Sequence, residues 1–260
     1  MGYASFKLVV GLNLLIPFNK QEHVDPWQLN LFCCKPETAI QLEAQGFCLA
    51  ALPTDRPDAA VEEDDVWWQN YLAAAPFGRA LLARIQTAAA APIPAGSEVY
   101  RRALNSYARS QSPGAPGADR YRWLCQAYRD LSELVAVAPS LARLVTLCRV
   151  ARELGHREQA VRCLIGLIKQ LGAIVAAPCN EPLIPATKRF EAIDPENRFS
   201  EWLAASLLEA YEELHAFSSY FTNQSSQDLL LKLKSFGFMS DRMDRRLELI
   251  KQRFAKSGVP

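Results

Sequence analysis

The spacing of apolar positions changes character along this chain. Phe6–Val10 and Gln28–Cys33 are short runs of apolar, β-branched or aromatic residues closed by Gly, Pro, Asn and Asp, the pattern of strands in a buried or half-buried sheet. From Pro36 onward the spacing turns helical. Pro36 stands just inside, and Gly46 just after, one short helix. Helical spacing then runs from Asp64 to Ala90, with Pro76 dividing it into two helices, and returns around Val99 to Ala108. The stretches Ala88–Gly96 and Gln111–Gly117, built largely from Ala, Pro, Gly and Ser, mark loops between these helices.

The strongest helical signal begins at Arg120. Apolar residues recur at Leu144, Leu147, Cys148, Ala151 and Leu154, and after Gly155 and His156 at Ala160, Cys163, Leu164, Leu167 and Ile168, which predicts a hairpin of two helices over 141–171. Gly155, Ala160, Leu164 and Leu167 resemble the small-residue turn and second-helix face of a tetratricopeptide repeat, where a small side chain lets paired helices approach closely. Ala127, Leu131, Leu134 and Pro139 stand 33 residues before Ala160, Leu164, Leu167 and Gly172, close to the usual period of about 34. An ordinary hairpin in an irregular bundle accounts for the same spacing. Pro178, Pro182, Pro185 and Pro195 exclude a continuous helix over 176–195, which is expected to run extended over helix surfaces. Phe199–Phe221 then predicts a long helix with a broad apolar face that includes Trp202, Leu207 and Leu208, and Gln227–Phe236 and Ser240–Phe254 a terminal pair joined at Gly237. Ala51–Glu63, with two prolines and several acidic residues, reads as a solvated connection. The expected fold is mainly α, with helical hairpins resembling tetratricopeptide-type repeats and a small N-terminal β segment. The expected division is a strand-bearing segment over 1–52, a helical region over 64–175 and a C-terminal helical region over 176–260.

A chain of 260 residues, half of them hydrophobic, is long enough for one large or two small cores. Its 29 basic and 28 acidic residues create no net field toward nucleic acid or anionic lipid. In the last helix Arg242, Arg245, Arg246, Lys251 and Arg253 are interleaved with Asp241, Asp244 and Glu248, a solvated face rather than a nucleic-acid patch. The seven cysteines are odd in number, scattered and free of any CxxC, which fits reduced, buried thiols in a cytoplasmic protein. Leu8–Phe18 is too short to span a bilayer and lacks the basic flank and cleavage site of an export signal.

One further likeness lies near the N-terminus. Gly11-Leu12-Asn13-Leu14-Leu15-Ile16-Pro17-Phe18, then Asp25-Pro26-Trp27-Gln28-Leu29-Asn30-Leu31-Phe32 and the helix start Lys35-Pro36, resemble the C-terminal strands of the FkbM-like family of bacterial S-adenosylmethionine-dependent methyltransferases. The resemblance covers residues 2–50. It implies the C-terminal part, or a truncated relative, of such an enzyme, carrying a helical extension that binds a partner or substrate. The family's cofactor site lies upstream of these strands. No GxGxxG or GxxxxGK[ST] occurs here, so no cofactor-binding residue is carried over, and S-adenosylmethionine enters only with an upstream domain. The alternative is a stand-alone helical scaffold acting through protein contacts.

Candidate chemistry is sparse, and no catalytic residue is assigned. His23, His156 and His215 are far apart and lack the i, i+4 partner of a helical metal site; they are expected at the surface or in turns. Cys33 and Cys34 point to opposite faces of a strand and are expected as two buried thiols rather than a bridge. Glu209, Glu212, Glu213 and His215, with Lys188 and Arg189 upstream, are expected to form the wet face opposite Trp202 and Leu208 rather than an acid–base set. Trp67, Trp68 and Tyr71, and the aromatics of 217–221, read chiefly as core anchors. Neighbours on a helix diverge by about 100°, so Trp67 and Trp68 are hard to bury against one partner; Trp67, Trp68 and Tyr71 are therefore the candidate interface. Open strand edges before residue 50 further predict self-association, and a chain shortened to begin near Asp64 is expected to be more monodisperse.

Overall fold

A computed structural model describes residues 2–19, 25, 30–53, 66–87, 94–176, 181–215 and 224–257. It is mainly helical, with a small antiparallel sheet at the N-terminus. Strands β1 (Ala4–Val9), β2 (Leu14–Pro17) and β3 (Phe32–Cys34) lie in the order β2-β1-β3, with Phe6 opposite both Pro17 and Phe32. Of the expected strand over 28–33, residues 28 and 29 lie outside the described residues. A 3-10 turn, Val10–Leu12, reverses the chain between β1 and β2 and ends at Asn13 in the left-handed region. The helices follow as α1 (Pro36–Ala44), α2 (Val66–Ala74), α3 (Pro76–Thr87), α4 (Ser97–Ser110), α5 (Gly117–Val137), α6 (Leu141–Leu154), α7 (Arg157–Lys169), α8 (Leu171–Ala176), α9 (Phe199–His215), α10 (Gln224–Ser235) and α11 (Asp241–Ser257).

Local rules account for the boundaries. Pro76 opens α3 because a first-turn residue needs no N–H donor, and it ends α2 because it has no N–H to bond back to that helix. The corner is so tight that a Cβ on Gly78 would lie 2.0 Å from the carbonyl oxygen of Leu72. Ser140 caps α6 by accepting from the Arg143 amide, and Gly155 closes the helix at φ +84°. Ala160 is fully buried on α7, which packs between α6 and α9.

The buried apolar cluster draws on every part of the chain. Val9, Leu12, Leu14 and Ile16 join it with Leu72, Phe77, Leu104, Leu131, Val145 and Leu164, and with Trp202, Leu207, Leu230 and Leu247. Trp202 is wholly buried, stacked on Phe77 at 5.5 Å and flanked by Phe190 and Phe199. The N-terminal hairpin sits directly on α6. A Cβ on Gly11 would lie 2.4 Å from the Cβ of Glu153, so glycine is what allows this approach.

The segment 181–193 departs from expectation. It was expected over helix surfaces, yet Leu183, Ile184, Ala186 and Phe190 are buried. A buried irregular segment must find partners for its backbone groups, and α6 supplies them. Arg143, Thr146, Arg149 and Arg152 recur every third residue. Arg143 binds the Glu181 carboxylate at 2.6 and 3.1 Å, Thr146 accepts from the Ile184 amide at 3.1 Å, Arg149 donates to the Pro185 carbonyl at 3.0 Å and Arg152 to that of Ala186 at 3.4 Å. Tyr100 adds a bond to the Pro182 carbonyl at 2.6 Å.

Candidate functional site

The first turns of α2 are set by α4: the Trp68 amide, one of the orphan donors at a helix start, donates to Asn105 Oδ1 at 3.0 Å. That anchor fixes the rotation of α2. Trp68 turns inward at 9 % exposure, whereas its neighbour Trp67 keeps 43 % of its surface in solvent. The Arg109 guanidinium, near the end of α4, lies 5.5 Å from the centre of the Trp67 ring. Val66, Trp67, Asn70 and Tyr71 face Ala108, Gln111 and Ser112 across a groove of about 420 Å³. Of the three candidate interface residues, Trp67 and Tyr71 line this groove and Trp68 belongs to the core beneath it.

The groove floor is tied to a buried ion network. Tyr71 donates to Glu191 Oε2 at 2.8 Å, and Gln111 Nε2 donates to Glu153 Oε2 at 3.2 Å. Between the two carboxylates lies Arg149, 1 % exposed, with Nε 2.6 Å from Glu153 and Nη2 2.7 Å from Glu191. Tyr107 donates to Glu153 at 3.2 Å and meets the Tyr71 ring edge-on at 5.6 Å. Burial, then the charge of Glu191, pushes the Tyr71 phenol far above its ordinary value, and burial does the same to Tyr107. Both are therefore fixed neutral donors. Burial would lower the Arg149 value, but the surrounding negative groups outweigh it and hold the guanidinium charged. The arrangement braces the groove; among the described residues it places no activated nucleophile or free base there.

The C-terminal glutamates are corrected in a similar way. Glu209 and Glu212 are buried, not wet, and Arg189 of the 3-10 helix Lys188–Ala192 and Arg246 of α11 reach them from outside α9. Arg189 grips Glu209 through two bonds of 2.8 and 2.7 Å, and Arg246 reaches Glu212 at 2.6 Å. Glu213 pairs with Arg152 and Arg242. Burial raises the Glu212 carboxyl despite Arg246. His215 stacks on Tyr211 at 4.9 Å and His156 against Tyr128 at 4.6 Å, far from one another in sequence and each beside an aromatic ring. His23, Cys179 and residues 217–221 lie outside the described residues. Among the described residues, no group of three or more His, Cys, Asp or Glu side chains is arranged to hold a metal ion, and no helix is long and apolar enough to cross a membrane.

Cys33 and Cys34 are not the buried thiols expected: β3 is an edge strand, which leaves Cys33 exposed and Cys34 half-buried. Cys48 and Cys148 are buried, and burial pushes both thiols up, away from the reactive thiolate. Among the described cysteines, iodoacetamide should therefore modify Cys33 first in the native protein, with Cys48 and Cys148 protected until unfolding. Peptide mass spectrometry over a labelling time course reads this; labelling of Cys148 as fast as Cys33 would contradict the packing of α6.

Comparison of the chain with family models, curated proteins and solved structures returned no match.

Proposed function

We propose that the chain is a helical scaffold that acts through protein contacts and takes its partner in the groove between α2 and the end of α4. The observation that carries this reading is the combination of an exposed indole, Trp67, with a floor, Tyr71 and Gln111, that is locked from below by Glu191 and Glu153. A preformed aromatic groove loses little freedom when it is filled, which favours binding. The cysteine pattern supports a reducing, cytoplasmic setting. Random dodecapeptides displayed on phage and panned on the full chain should yield sequences retained at least tenfold better by the native protein than by Trp67→Ala. Because Trp67 is half-exposed, the variant should keep its melting temperature within a few degrees. Equal retention on the two proteins would remove the groove as the binding surface.

The likeness of residues 2–50 to FkbM-like methyltransferase strands supports a second reading, in which the same helical body serves an enzyme encoded upstream. On either reading this chain is expected to lack its own cofactor site, and titration calorimetry with S-adenosylmethionine should show no saturable heat. A micromolar isotherm would reverse that expectation.

A further inference from the structure

We infer that the occupant of the α2–α4 groove is an extended acidic segment of a partner protein, held by a carboxylate on Arg109 and an apolar side chain against Trp67; this rests on the scaffold reading above. The argument begins with charge. Most of the other arginines drawn into the body of the protein have a carboxylate, as Arg143 has Glu181, Arg149 has Glu153 and Glu191, Arg152 has Glu213, Arg189 has Glu209 and Arg246 has Glu212, while Arg120 and Arg157 have the carbonyls of Ser110 and Leu214. Arg109 is half-buried, yet no carboxylate among the described residues pairs with it, and its Nε has no acceptor. It lies instead over the Trp67 ring. A guanidinium engaged through its face keeps donors along its edge for a carboxylate, which can be taken bidentately. The groove wall therefore carries an exposed indole, and beside that indole lies a cation with no carboxylate partner among the described residues.

Length and lining favour an extended ligand over a helix. The α2 wall runs from Val66 to Tyr71, roughly 8 Å at 1.5 Å per residue. A docked helix needs anchors at i, i+3 or i+4, and i+7, spread over about 10 Å of axis and within a body 10–12 Å across. Two extended residues cover about 7 Å, within the length of that wall. The side chains of Asn70 and Ser112 make no hydrogen bond to described residues and border the groove, where they can meet the backbone of such a segment.

The same panned dodecapeptide library tests the composition of the ligand. Sequences that require Trp67 should be enriched in Asp or Glu beside a large apolar residue. A synthetic peptide of that kind, measured by fluorescence anisotropy, should bind Arg109→Gln at least tenfold more weakly than the native chain. Its amide counterpart, with Gln or Asn in place of the acid, should bind the two proteins alike. Trp67-dependent peptides that are basic or uncharged, or an acidic peptide indifferent to Arg109→Gln, would overturn this inference and leave the groove reading standing. Retention that does not depend on Trp67, or no enrichment at all, would overturn both.

Discussion

Replacing Arg149 with methionine should cost about 3–5 kcal/mol of folding stability, the range for breaking a buried ion pair by removing one partner. The guanidinium stands between Glu153 and Glu191 and also holds the Pro185 carbonyl. Without it, two carboxylates are left close together with no cation between them, and an unpaired buried carbonyl remains. Methionine fills much of the volume, so the loss reports charge and hydrogen bonding rather than a cavity. Urea denaturation reads the change as a fall in midpoint at unchanged slope. The triple variant Arg149→Met, Glu153→Gln, Glu191→Gln should recover part of the loss, because the repulsion goes with the charges. A single variant within 1 kcal/mol of the native protein would show that the network does not stabilise the fold.

Shortening the chain to begin near Asp64 should abolish cooperative folding. The sequence pattern suggests the opposite, a helical body freed of sticky strands, but the N-terminal hairpin is seated on α6 and contributes Val9, Leu12, Leu14 and Ile16 to the shared core. Burial of one such side chain stabilises by about 1.5–3 kcal/mol, so the four together represent roughly 6–12 kcal/mol as an upper figure. A whole domain is stable by only about 5–15 kcal/mol. The shortened chain should therefore scatter light as aggregates and melt without a sharp transition. A monodisperse product with the melting temperature of the full chain would show that these contacts are dispensable.

Helices were legible where apolar residues recur over three turns or more, as in α6, α7 and α9, and where Pro76 or Gly155 punctuates them. Less legible were features that depend on what a second segment brings. Glu209 and Glu212 look like a solvent face until Arg189 and Arg246 arrive from outside α9 to neutralise them. Over the described residues 181–195 the prolines correctly exclude a continuous helix, leaving only the 3-10 turn Lys188–Ala192, but they say nothing about depth. The signal that would have placed that segment is in α6: Arg143, Thr146, Arg149 and Arg152 recur at every third position of a helix whose other residues, Glu153 apart, are apolar, a spacing no solvent-facing stripe requires. The groove was half legible. The divergence of Trp67 and Trp68 follows from helical geometry, whereas its floor depends on Glu191 and Glu153 meeting Tyr71 and Gln111 from distant parts of the chain.

The three-residue rhythm of α6 also acts as a ruler. Each step of three turns about 300° around a helix axis and advances about 4.5 Å, so the four polar groups wind slowly around α6 while their partners at 181, 184, 185 and 186 follow in the same order. Loops usually tolerate inserted or deleted residues because their backbone faces water. Here one extra residue after Glu181 would slide Ile184, Pro185 and Ala186 out of step with three side chains at once. The stretch between Glu181 and Ala186 is thus a loop whose length is held as firmly as the register of a paired strand.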